Sequence, residues 1–454
     1  MREGGLDSRL VSAVRAGDAE AVRALLDEGA DPNTADTDGL PVLCVAVAAY
    51  DAPVAEALVE GGADPDRTLP DGTNALWRAV DGGSPAVFSA VLGKEPRLRL
   101  PEADRERLLA LARAWYETGA AEELRRRTGV FGAAATVRVQ DDEYDHVDQV
   151  SLGGRVVRAG HGAILTSLEW AFRVLTPVDE LVTRAVRQPD EIHVDWSAAY
   201  WILTERRSFE TWSAVVAHRH HPDQAHRRFV VDFLRRRSLL GNSPYYAKKE
   251  RELLAVWAAE ETDGEMLAKV LAAFTQYEHA DQEALGLRYT DHPDPRVRRE
   301  VPYALFTYGV PHTSEARSAL ITLMRDPDAE VRAAACTAGM HVAARHTEIT
   351  QAVLLLAEDP DADTRAAAAA ALAVSRDGAP AVADALVALS HEESRLARLE
   401  AAYGLALRDD PRTAGAVERL GPLGADFEHD HRADVIWRWR RRQEDGDAMT
   451  PPAS

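Results

Sequence analysis

Two short tracts of the sequence carry residue types that bind metal ions. The tract His218-Arg219-His220-His221 supplies three imidazoles, but a zinc site needs further ligands at a regular spacing, and the sequence shows none. The acidic tract 141–148 supplies carboxylates for a hard cation, but it lacks the spacing and the glycine of a calcium loop. We therefore expect no metal ion and no cofactor, and we interpret the acidic tract as the solvated tip of a hairpin.

A local concentration of positive charge and aromatic rings indicates nucleic-acid chemistry. Residues 206–251 contain eleven arginines and lysines against four aspartates and glutamates, which leaves a local charge of +7. Aromatic residues are interleaved with them, and Asp195 beside Trp196 is a candidate acid for chemistry on a flipped base. Aromatic residues at helical spacing more often belong to a core. Nucleic-acid binding by the patch 196–251 is therefore the alternative hypothesis.

Common enzyme signatures are missing from the sequence. It contains no Gly-x-x-x-x-Gly-Lys phosphate loop, no Gly-x-Ser-x-Gly elbow and no His-Glu-x-x-His zinc motif. The chain of 454 residues has a formal net charge of -21, which repels phosphate backbones. These features favour a non-catalytic protein that binds other proteins.

Cysteine content and the N-terminal residues bear on the cellular compartment. Cys44 and Cys336 are the two cysteines and lie far apart in helical patterns, so the sequence indicates no disulfide framework. The N-terminal residues lack the apolar segment of a signal peptide, and the apolar run 40–50 is too short to span a bilayer. We expect a soluble, cytoplasmic protein with no membrane partner.

The elements that position these residues follow a repeat of 33 residues. Gly29-Ala30-Asp31 recurs as Gly62-Ala63-Asp64, and Asp38-Gly39 recurs as Asp71-Gly72. Each copy predicts two helices that end at a glycine with positive φ, followed by a turn. Apolar positions recur at the same step, at Leu10, Leu43 and Leu76. These residues resemble ankyrin repeats, which implies a stack of helix pairs near the N-terminus.

The resemblance to ankyrin repeats implies a binding surface for partner proteins at the turns and on the first helices. The matching positions in this sequence are Asp38, Leu40, Leu69, Asp71, Arg78 and Asp81. The third copy lacks the Gly-Ala-Asp exit, so something must cap the stack. The helix-patterned segment 101–127 is the expected cap.

A change of periodicity marks a connector after this segment. Alternating residues predict two or three short strands over 136–139, 147–152 and 155–158, and Gly153-Gly154 is a two-residue hairpin turn. His161 precedes a helical pattern. It is expected either at a helix N-terminus with a lowered pKa or as an ordinary turn residue.

Asp-Pro-Asp tracts begin a second series of repeats. Asp326-Pro327-Asp328 recurs 33 residues later as Asp359-Pro360-Asp361. The first aspartate can cap a helix, and proline suits the first helical turn. Small residues follow each tract and favour close helix packing. The spacing predicts seven repeats with a degenerate eighth.

This second series resembles HEAT repeats, in which Asp and Arg columns form a ladder between successive repeats. The ladder positions that match are Asp294, Asp328 and Asp361 with Arg298, Arg332, Arg365 and Arg398. The resemblance also implies that the Asp-Pro helices line a concave groove. With the turn positions of the first series, the candidate partner-binding residues are Asp38, Leu69, Asp71, Arg78, Arg227, Arg228, Asp232, Arg235, Arg299, Tyr303, Thr337 and Tyr403.

The sequence thus predicts a mainly α fold, similar to bacterial proteins that join ankyrin and HEAT repeats. The expected parts are ankyrin-like repeats over 1–100, a capping helix and β-hairpin connector over 101–175, a HEAT-like α-solenoid over 176–443, and a disordered tail over 444–454. The predicted function is a non-catalytic scaffold or adaptor that binds proteins through both concave surfaces. The alternative is a HEAT-like nucleic-acid binder or an enzyme of the DNA glycosylase type. The sequence names neither the partner nor an oligomeric state.

Overall fold

A computed structural model describes residues 3–239, 244–277, 281–306, 312–343, 346–424, 427 and 430–448. These residues form twenty-six α-helices, a short 3₁₀ helix and one small antiparallel sheet, so the predicted mainly α fold is confirmed. The chain divides into two compact units, 1–233 and 234–454. The domain bounds given above remain predictions.

The first unit opens with three pairs of helices at the predicted step. Their bounds are α1 Glu3–Ala16, α2 Ala19–Asp27, α3 Val42–Ala48, α4 Ala52–Glu60, α5 Ala75–Gly82 and α6 Pro85–Leu92. The second helix of each pair is capped at the same repeat position, by Asp18, Asp51 and Ser84. Gly29 and Gly62 have φ values of 97° and 95°, as the predicted helix exits require. The column Leu10, Leu43 and Leu76 is buried.

The stack is closed by helices that follow it in the sequence. Their bounds are α7 Pro96–Arg99, α8 Glu102–Thr118 and α9 Ala120–Thr128. The segment 101–127, expected as one helix, is broken at Gly119, whose φ of 85° is outside the helical region. Leu108 of α8 belongs to the same core cluster as the three repeats. The expected capping role of this segment therefore belongs mainly to α8.

Three strands form the connector, as its alternating pattern predicts. They are β1 Ala135–Gln140, β2 His146–Leu152 and β3 Arg155–Arg158, in the order β1-β2-β3 with both pairs antiparallel. Gly153 and Gly154 have φ values of 58° and 77°, which suit the tight turn between β2 and β3. Residues 141–145 of the acidic tract form the loop between β1 and β2, and the rest of the tract lies in β2.

Further helices complete the first unit. They are α10 His161–Ala171, α11 Val178–Arg187, α12 Val194–Glu205, α13 Phe209–Ala217 and α14 Gln224–Leu239, with the 3₁₀ helix His218–His220 before α14. The division between the units falls within α14. Ile164, Leu165 and Leu168 of α10 pack into the core of the N-terminal repeats. The repeats, the cap and α10 therefore share one hydrophobic core.

The second unit is a succession of helices joined by short loops. They are α15 Pro244–Glu260, α16 Gly264–Phe274, α17 Gln282–Arg288, α18 Pro295–Leu305, α19 Ser314–Leu323, α20 Ala329–Ala343, α21 Thr347–Leu356, α22 Ala362–Val374, α23 Pro380–Leu389, α24 Arg395–Leu407, α25 Thr413–Leu420 and α26 His431–Ala448. Helix α26 extends five residues into the tail expected to be disordered, and residues 449–454 lie outside the described residues.

An arginine ladder joins successive repeats of this unit. Each arginine binds a carboxylate of the next repeat through two nitrogens, at 2.7–2.9 Å, in the pairs Arg298–Asp326, Arg332–Asp359 and Arg365–Glu392. The third nitrogen donates to backbone carbonyls of the loop before its own helix, as from Arg298 to His292 at 2.7 Å. Each rung therefore fixes two loops at once, and its bidentate geometry sets the register of the repeats.

The acidic column of the ladder differs from the prediction. Asp294, Asp328 and Asp361 do not pair with the ladder arginines Arg298, Arg332 and Arg365. They accept hydrogen bonds from backbone N–H groups in the first turns of α18, α20 and α22. The second aspartate of each Asp-Pro-Asp tract is therefore the helix cap, and the residue two positions before it forms the rung. Arg398 bonds to the carbonyls of Glu392 and Glu393.

Candidate protein-binding cleft

A cleft of about 730 Å³ lies between the N-terminal repeats and the connector sheet. One wall is formed by the first helices of the second and third repeats, α3 and α5. Helices α8 and α9 and the β2–β3 hairpin form the opposite side. Its lining includes the side chains of Tyr50, Trp77, Arg78, Asp81, Trp115 and Arg127. The cleft is open to solvent along one side and belongs entirely to the first unit.

Tyr50 fastens the hairpin to the repeats. Its hydroxyl lies 3.1 Å from the carbonyl oxygens of both Gly82 and Val156. The guanidinium of Arg158 lies 4.6 Å from the centre of the Tyr50 ring and pairs with Asp141 at 2.7 Å. Burial raises the pKa of Tyr50 to about 12, so the hydroxyl stays protonated and remains a donor. This contact fixes one wall of the cleft relative to the other.

The floor of the cleft is a stack of three side chains. The rings of Trp115 and His161 are parallel, with centres 4.7 Å apart, and the guanidinium of Arg127 lies 4.3 Å from the Trp115 ring. Asp81 accepts hydrogen bonds from Trp115 at 2.8 Å and from Arg127 at 2.6 Å. Burial lowers the pKa of His161 to about 3, so its ring is neutral. Because each group is paired, the floor is rigid and carries little net charge.

His161 is the first residue of α10, so the structure shows the first of its two expected positions and not the ordinary turn, and burial is what lowers its pKa. Its ring is buried, and its Nε2 atom lies 3.4 Å from the carbonyl oxygen of Asp81. The role of His161 is therefore to support Trp115 from inside the unit.

The rim of the cleft combines paired charges with exposed apolar surface. Arg78 pairs with Asp71 at 2.9 Å and also donates to the hydroxyl of Thr73. Hydrogen bonds from Thr73, followed by Arg78, lower the pKa of Asp71 to about 2. Val156 of the hairpin is 44% exposed. Arg155 is exposed beside it and has no ion pair within the part of the chain that the structure describes.

The structure brings together Asp71, Arg78 and Asp81, three of the positions predicted from the sequence to bind a partner, in the lining of this cleft. Asp38 is exposed in a turn outside it, with its backbone N–H bonded to Asp36. Leu69 is 9% exposed and packs in the core of the repeats, so its prediction as a partner-binding residue is wrong. Leu69 was predicted to contact a partner because it lies in a turn, but its side chain points into the core.

Asp232 is also misassigned to a binding surface. Its side chain is 4% exposed and accepts a hydrogen bond from the indole of Trp196 at 2.9 Å. The neighbouring Arg227 and Arg228 donate to backbone carbonyls, those of His221 at 3.2 Å and Pro189 at 2.8 Å. Arg235 is exposed. Arg227 and Arg228 therefore hold loops, and Asp232 is a hydrogen-bond acceptor in the core.

The remaining candidates lie on helices of the second unit. Arg299 pairs with Glu330 at 2.7 Å, and Tyr303 is 37% exposed. Thr337 is exposed and donates to a carbonyl one turn earlier on its own helix. Tyr403 is half-buried, and burial raises its pKa. Binding through these four side chains remains a prediction.

Part of the basic aromatic patch belongs to the core. Trp196, Tyr200 and Trp212 are 0%, 1% and 9% exposed, so their rings are not stacking platforms for bases. Trp201, Phe209 and Tyr245 are exposed, so burial does not exclude these three rings. Asp195, the candidate acid, is buried and accepts a hydrogen bond from the Ala163 N–H at 2.6 Å. It closes the N-terminus of α10 and has no access to a substrate.

The buried carboxyl of Asp195 makes the stability of the first unit depend on pH. Burial raises the pKa of its carboxyl to about 7, although the bond from Ala163 lowers it. A carboxyl whose pKa is higher in the folded state reduces stability progressively as pH rises from about 4 to 7. We expect Asp195→Asn, which keeps an acceptor, to raise the melting temperature relative to the wild type more at pH 8 than at pH 4.5. Equal shifts at both pH values in differential scanning calorimetry would contradict this.

No three potential ligands are arranged to hold a metal ion within the described ranges. His218, His221 and His226 lie near one another, with the rings of His221 and His226 3.7 Å apart. None of the helices in the described part of the chain combines the length and the apolar character needed to cross a lipid bilayer.

Several residues that line the cleft were not predicted to be part of a binding site. They are Tyr50, Trp77, Trp115, Arg127 and Arg155. One signal was present in the sequence, since Trp77 places a large ring at the repeat position that Cys44 occupies 33 residues earlier. Tyr50 belongs to the second repeat, whereas Trp115, Arg127 and Arg155 come from the cap and the connector. Their approach to the repeats depends on tertiary packing over about a hundred residues, as between Tyr50 and Val156.

A comparison with protein-family models matches residues 10–99 to the family described as ankyrin repeats, in three copies. The N-terminal segment carries ankyrin repeats. No curated protein matches the sequence. Among solved structures, the chain is similar to the X-ray structure of the Escherichia coli protein YibA, with 14% identity and a TM-score of 0.43. That alignment covers 59% of this chain and 93% of YibA.

Proposed function

We propose that this protein is a non-catalytic scaffold or adaptor that binds a segment of a partner protein in the cleft between its ankyrin repeats and the β2–β3 hairpin. Ankyrin repeats are generally protein-interaction modules. The observation that carries the proposal is that the connector folds back over the inner helices of the array, at Tyr50 and Val156. The array thereby gains a second wall.

The chemistry of the cleft suits a polypeptide. Its acidic groups are already paired, Asp71 with Arg78 and Asp81 with Arg127, so it offers no concentrated charge for a small ion. Exposed Val156 and Arg155 add apolar contact and one positive charge at the rim. Protein interfaces combine apolar anchors with polar rims in this way. The net charge of -21 further disfavours a nucleic-acid partner.

The second unit is proposed to present a HEAT-like surface to a second protein segment. Its support is the repeated helix cap, the arginine ladder and the side chains Arg299, Tyr303, Thr337 and Tyr403 on its helices. Arrays of helix pairs often use an extended surface for this purpose. The buried free thiols of Cys44 and Cys336 are consistent with a reducing cytoplasm.

A charge-reversal variant tests the cleft. Arg155→Glu with Val156→Glu changes two exposed residues of the hairpin and is expected to weaken binding of a cleft partner at least tenfold, since it buries unpaired negative charge beside Asp71 and Asp81. Partners are captured from a native lysate with the full chain, identified by mass spectrometry, and their affinities are measured by calorimetry with purified components.

The control adds two negative charges elsewhere on the first unit, whereas the cleft variant shifts the net charge by three. Leu98 and Phe131 are 77% and 94% exposed and do not line the cleft. Leu98→Glu with Phe131→Glu is expected to leave the affinity within about twofold of the wild type. A purified partner that binds the cleft variant and the control equally well would refute the assignment of the cleft.

A further inference from the structure

The outer edge of strand β1 is open. β1 is the first strand of the sheet, and five of its six residues are exposed. On β2, the Asp148 carbonyl accepts the N–H of Ala159 on the β3 side. The backbone groups of Val147, Gln149 and Ser151, which alternate with Asp148, therefore face β1, where they oppose Val139, Val137 and Ala135. The backbone N–H and carbonyl groups of the other residues of β1 face outward, away from β2. These residues are Thr136, Arg138 and Gln140.

The outward backbone groups of this edge have no partner. No described residue forms a hydrogen bond with the backbone N–H or carbonyl of Thr136, Arg138 or Gln140. Edge strands are normally protected by proline, a bulge, a cover or an isolated charge. The single charge on β1 is Arg138, and Asp190 neutralises it. This edge is a template for another strand.

We propose that the edge of β1 pairs with β1 of a second copy of this chain, antiparallel and with Arg138 on the two-fold axis. The pairing joins the two connector sheets into one continuous sheet. Each outward residue then exchanges both backbone hydrogen bonds with a residue of the second copy. An isologous contact of this kind closes at two copies.

In this register, the side chains on β1 of one copy match those on β1 of the other. Val137 lies opposite Val139 of the second copy, which forms β-branched pairs on one face. Val137 is 54% exposed in the single chain. On the other face, Thr136 lies opposite Gln140 of the second copy. The two Arg138 side chains meet at the axis, where the repulsion between them is offset because each is paired with its own Asp190.

Charge complementarity at the two ends of β1 selects the antiparallel second copy over an unrelated strand. The loop that follows β1 exposes the carboxylates of Asp142 and Glu143. Before β1, Arg125 of α9 donates to the carbonyl of Gly132 at 3.3 Å and pairs with Glu122 at 2.9 Å. The proposed register places the acidic loop of each copy beside Gly132 and Arg125 of the other. At both ends of the paired strands, the acidic loop therefore shares the guanidinium of Arg125 with Glu122.

A pair of substitutions at Thr136 tests the hydrogen bonds of this edge. Thr136→Pro removes one outward N–H and spares the ladder to β2, because that N–H does not take part in it. Thr136→Val keeps the N–H. Sedimentation velocity of the full chain is expected to show a concentration-dependent dimer for the wild type and for Thr136→Val. Thr136→Pro is expected to weaken dimerisation at least tenfold with an unchanged circular dichroism spectrum.

A cysteine crosslink tests the register. The natural cysteines are buried, so Arg138→Cys supplies one accessible thiol, which in the proposed dimer lies within disulfide reach of its counterpart. Mild oxidation is expected to give a covalent dimer. Glu117→Cys, exposed on α8, is the control and is expected to give none. A wild type that stays monomeric, a dimer that Thr136→Pro leaves intact, or equal crosslinking of the two cysteine variants would overturn the proposal.

Discussion

Arg184→Met is expected to lower the free energy of unfolding of the first unit by about 3–5 kcal/mol, the cost of leaving a buried carboxylate without its main partner. Arg184 is 1% exposed and binds Glu169 through two nitrogens at 2.7 and 3.2 Å. It also contacts Glu180 and the hydroxyl of Thr166. Urea unfolding of the full chain, with hydrogen exchange of α10 and α11, measures the change.

The pH dependence of this effect identifies its cause. Burial raises the pKa of Glu169, but Arg184 and Thr176 outweigh it, and the folded-state pKa is lowered. The ion pair therefore stabilises the protein above the ordinary glutamate pKa, and that contribution is lost as pH falls through the lowered value. We expect the difference between Arg184→Met and the wild type to be larger at pH 7 than at pH 4.

The double variant Arg184→Met with Glu169→Leu supplies the control. It removes both buried charges and is expected to recover at least half of the lost stability, as apolar replacements of buried ion pairs commonly do. Arg113 also pairs with Glu169, but its side chain is exposed, so losing this ion pair costs little stability. If the double variant were less stable than Arg184→Met, the loss would reflect the volume and packing of the arginine and not the stranded charge.

Gly83→Ala is expected to destabilise the first unit by about 2–4 kcal/mol and to release the hairpin from the repeats. Gly83 has a φ of 76°, which costs alanine about 1 kcal/mol. A Cβ atom at Gly83 would lie 1.8 Å from the carbonyl oxygen of Arg158 and 2.4 Å from the His161 ring. The backbone must move to relieve this clash, which adds about 1–3 kcal/mol.

Gly72→Ala separates the two contributions. Gly72 has nearly the same φ, 78°, but a Cβ atom there meets nothing within 4 Å. It is expected to cost about 1 kcal/mol in urea unfolding, because only the backbone conformation is strained. Hydrogen exchange of β3 should increase in Gly83→Ala and stay at the wild-type rate in Gly72→Ala. Similar losses of stability and similar exchange in both variants would show that the contact with Arg158 is unimportant.

The repeat step and the connector strands were predictable because local signals are strong there. The Gly-Ala-Asp exits require a positive φ, and Gly153-Gly154 requires a tight turn, so each pattern admits few structures. Both predictions are confirmed. The break at Gly119 shows the limit of the approach, since the helical pattern of 101–127 continues across it.

The cleft and the ladder pairing were not predictable in the same way. Asp326 and Asp328 recur at the same step as their equivalents, so spacing alone cannot distinguish the rung from the helix cap. The structure distinguishes them by their partners, since Asp326 binds the guanidinium of Arg298 and Asp328 accepts the N–H of Val331. The burial of Asp232 likewise depends on the Trp196 indole, which reaches it from another helix. Charge and position indicated exposure, whereas tertiary packing made the carboxylate an acceptor in the core.

The ladder of the second unit has a mechanical consequence. Each arginine connects only neighbouring repeats, through one carboxylate and the loop before its own helix. We therefore expect the second unit to yield to tension one helix pair at a time, while the remaining pairs keep their packing.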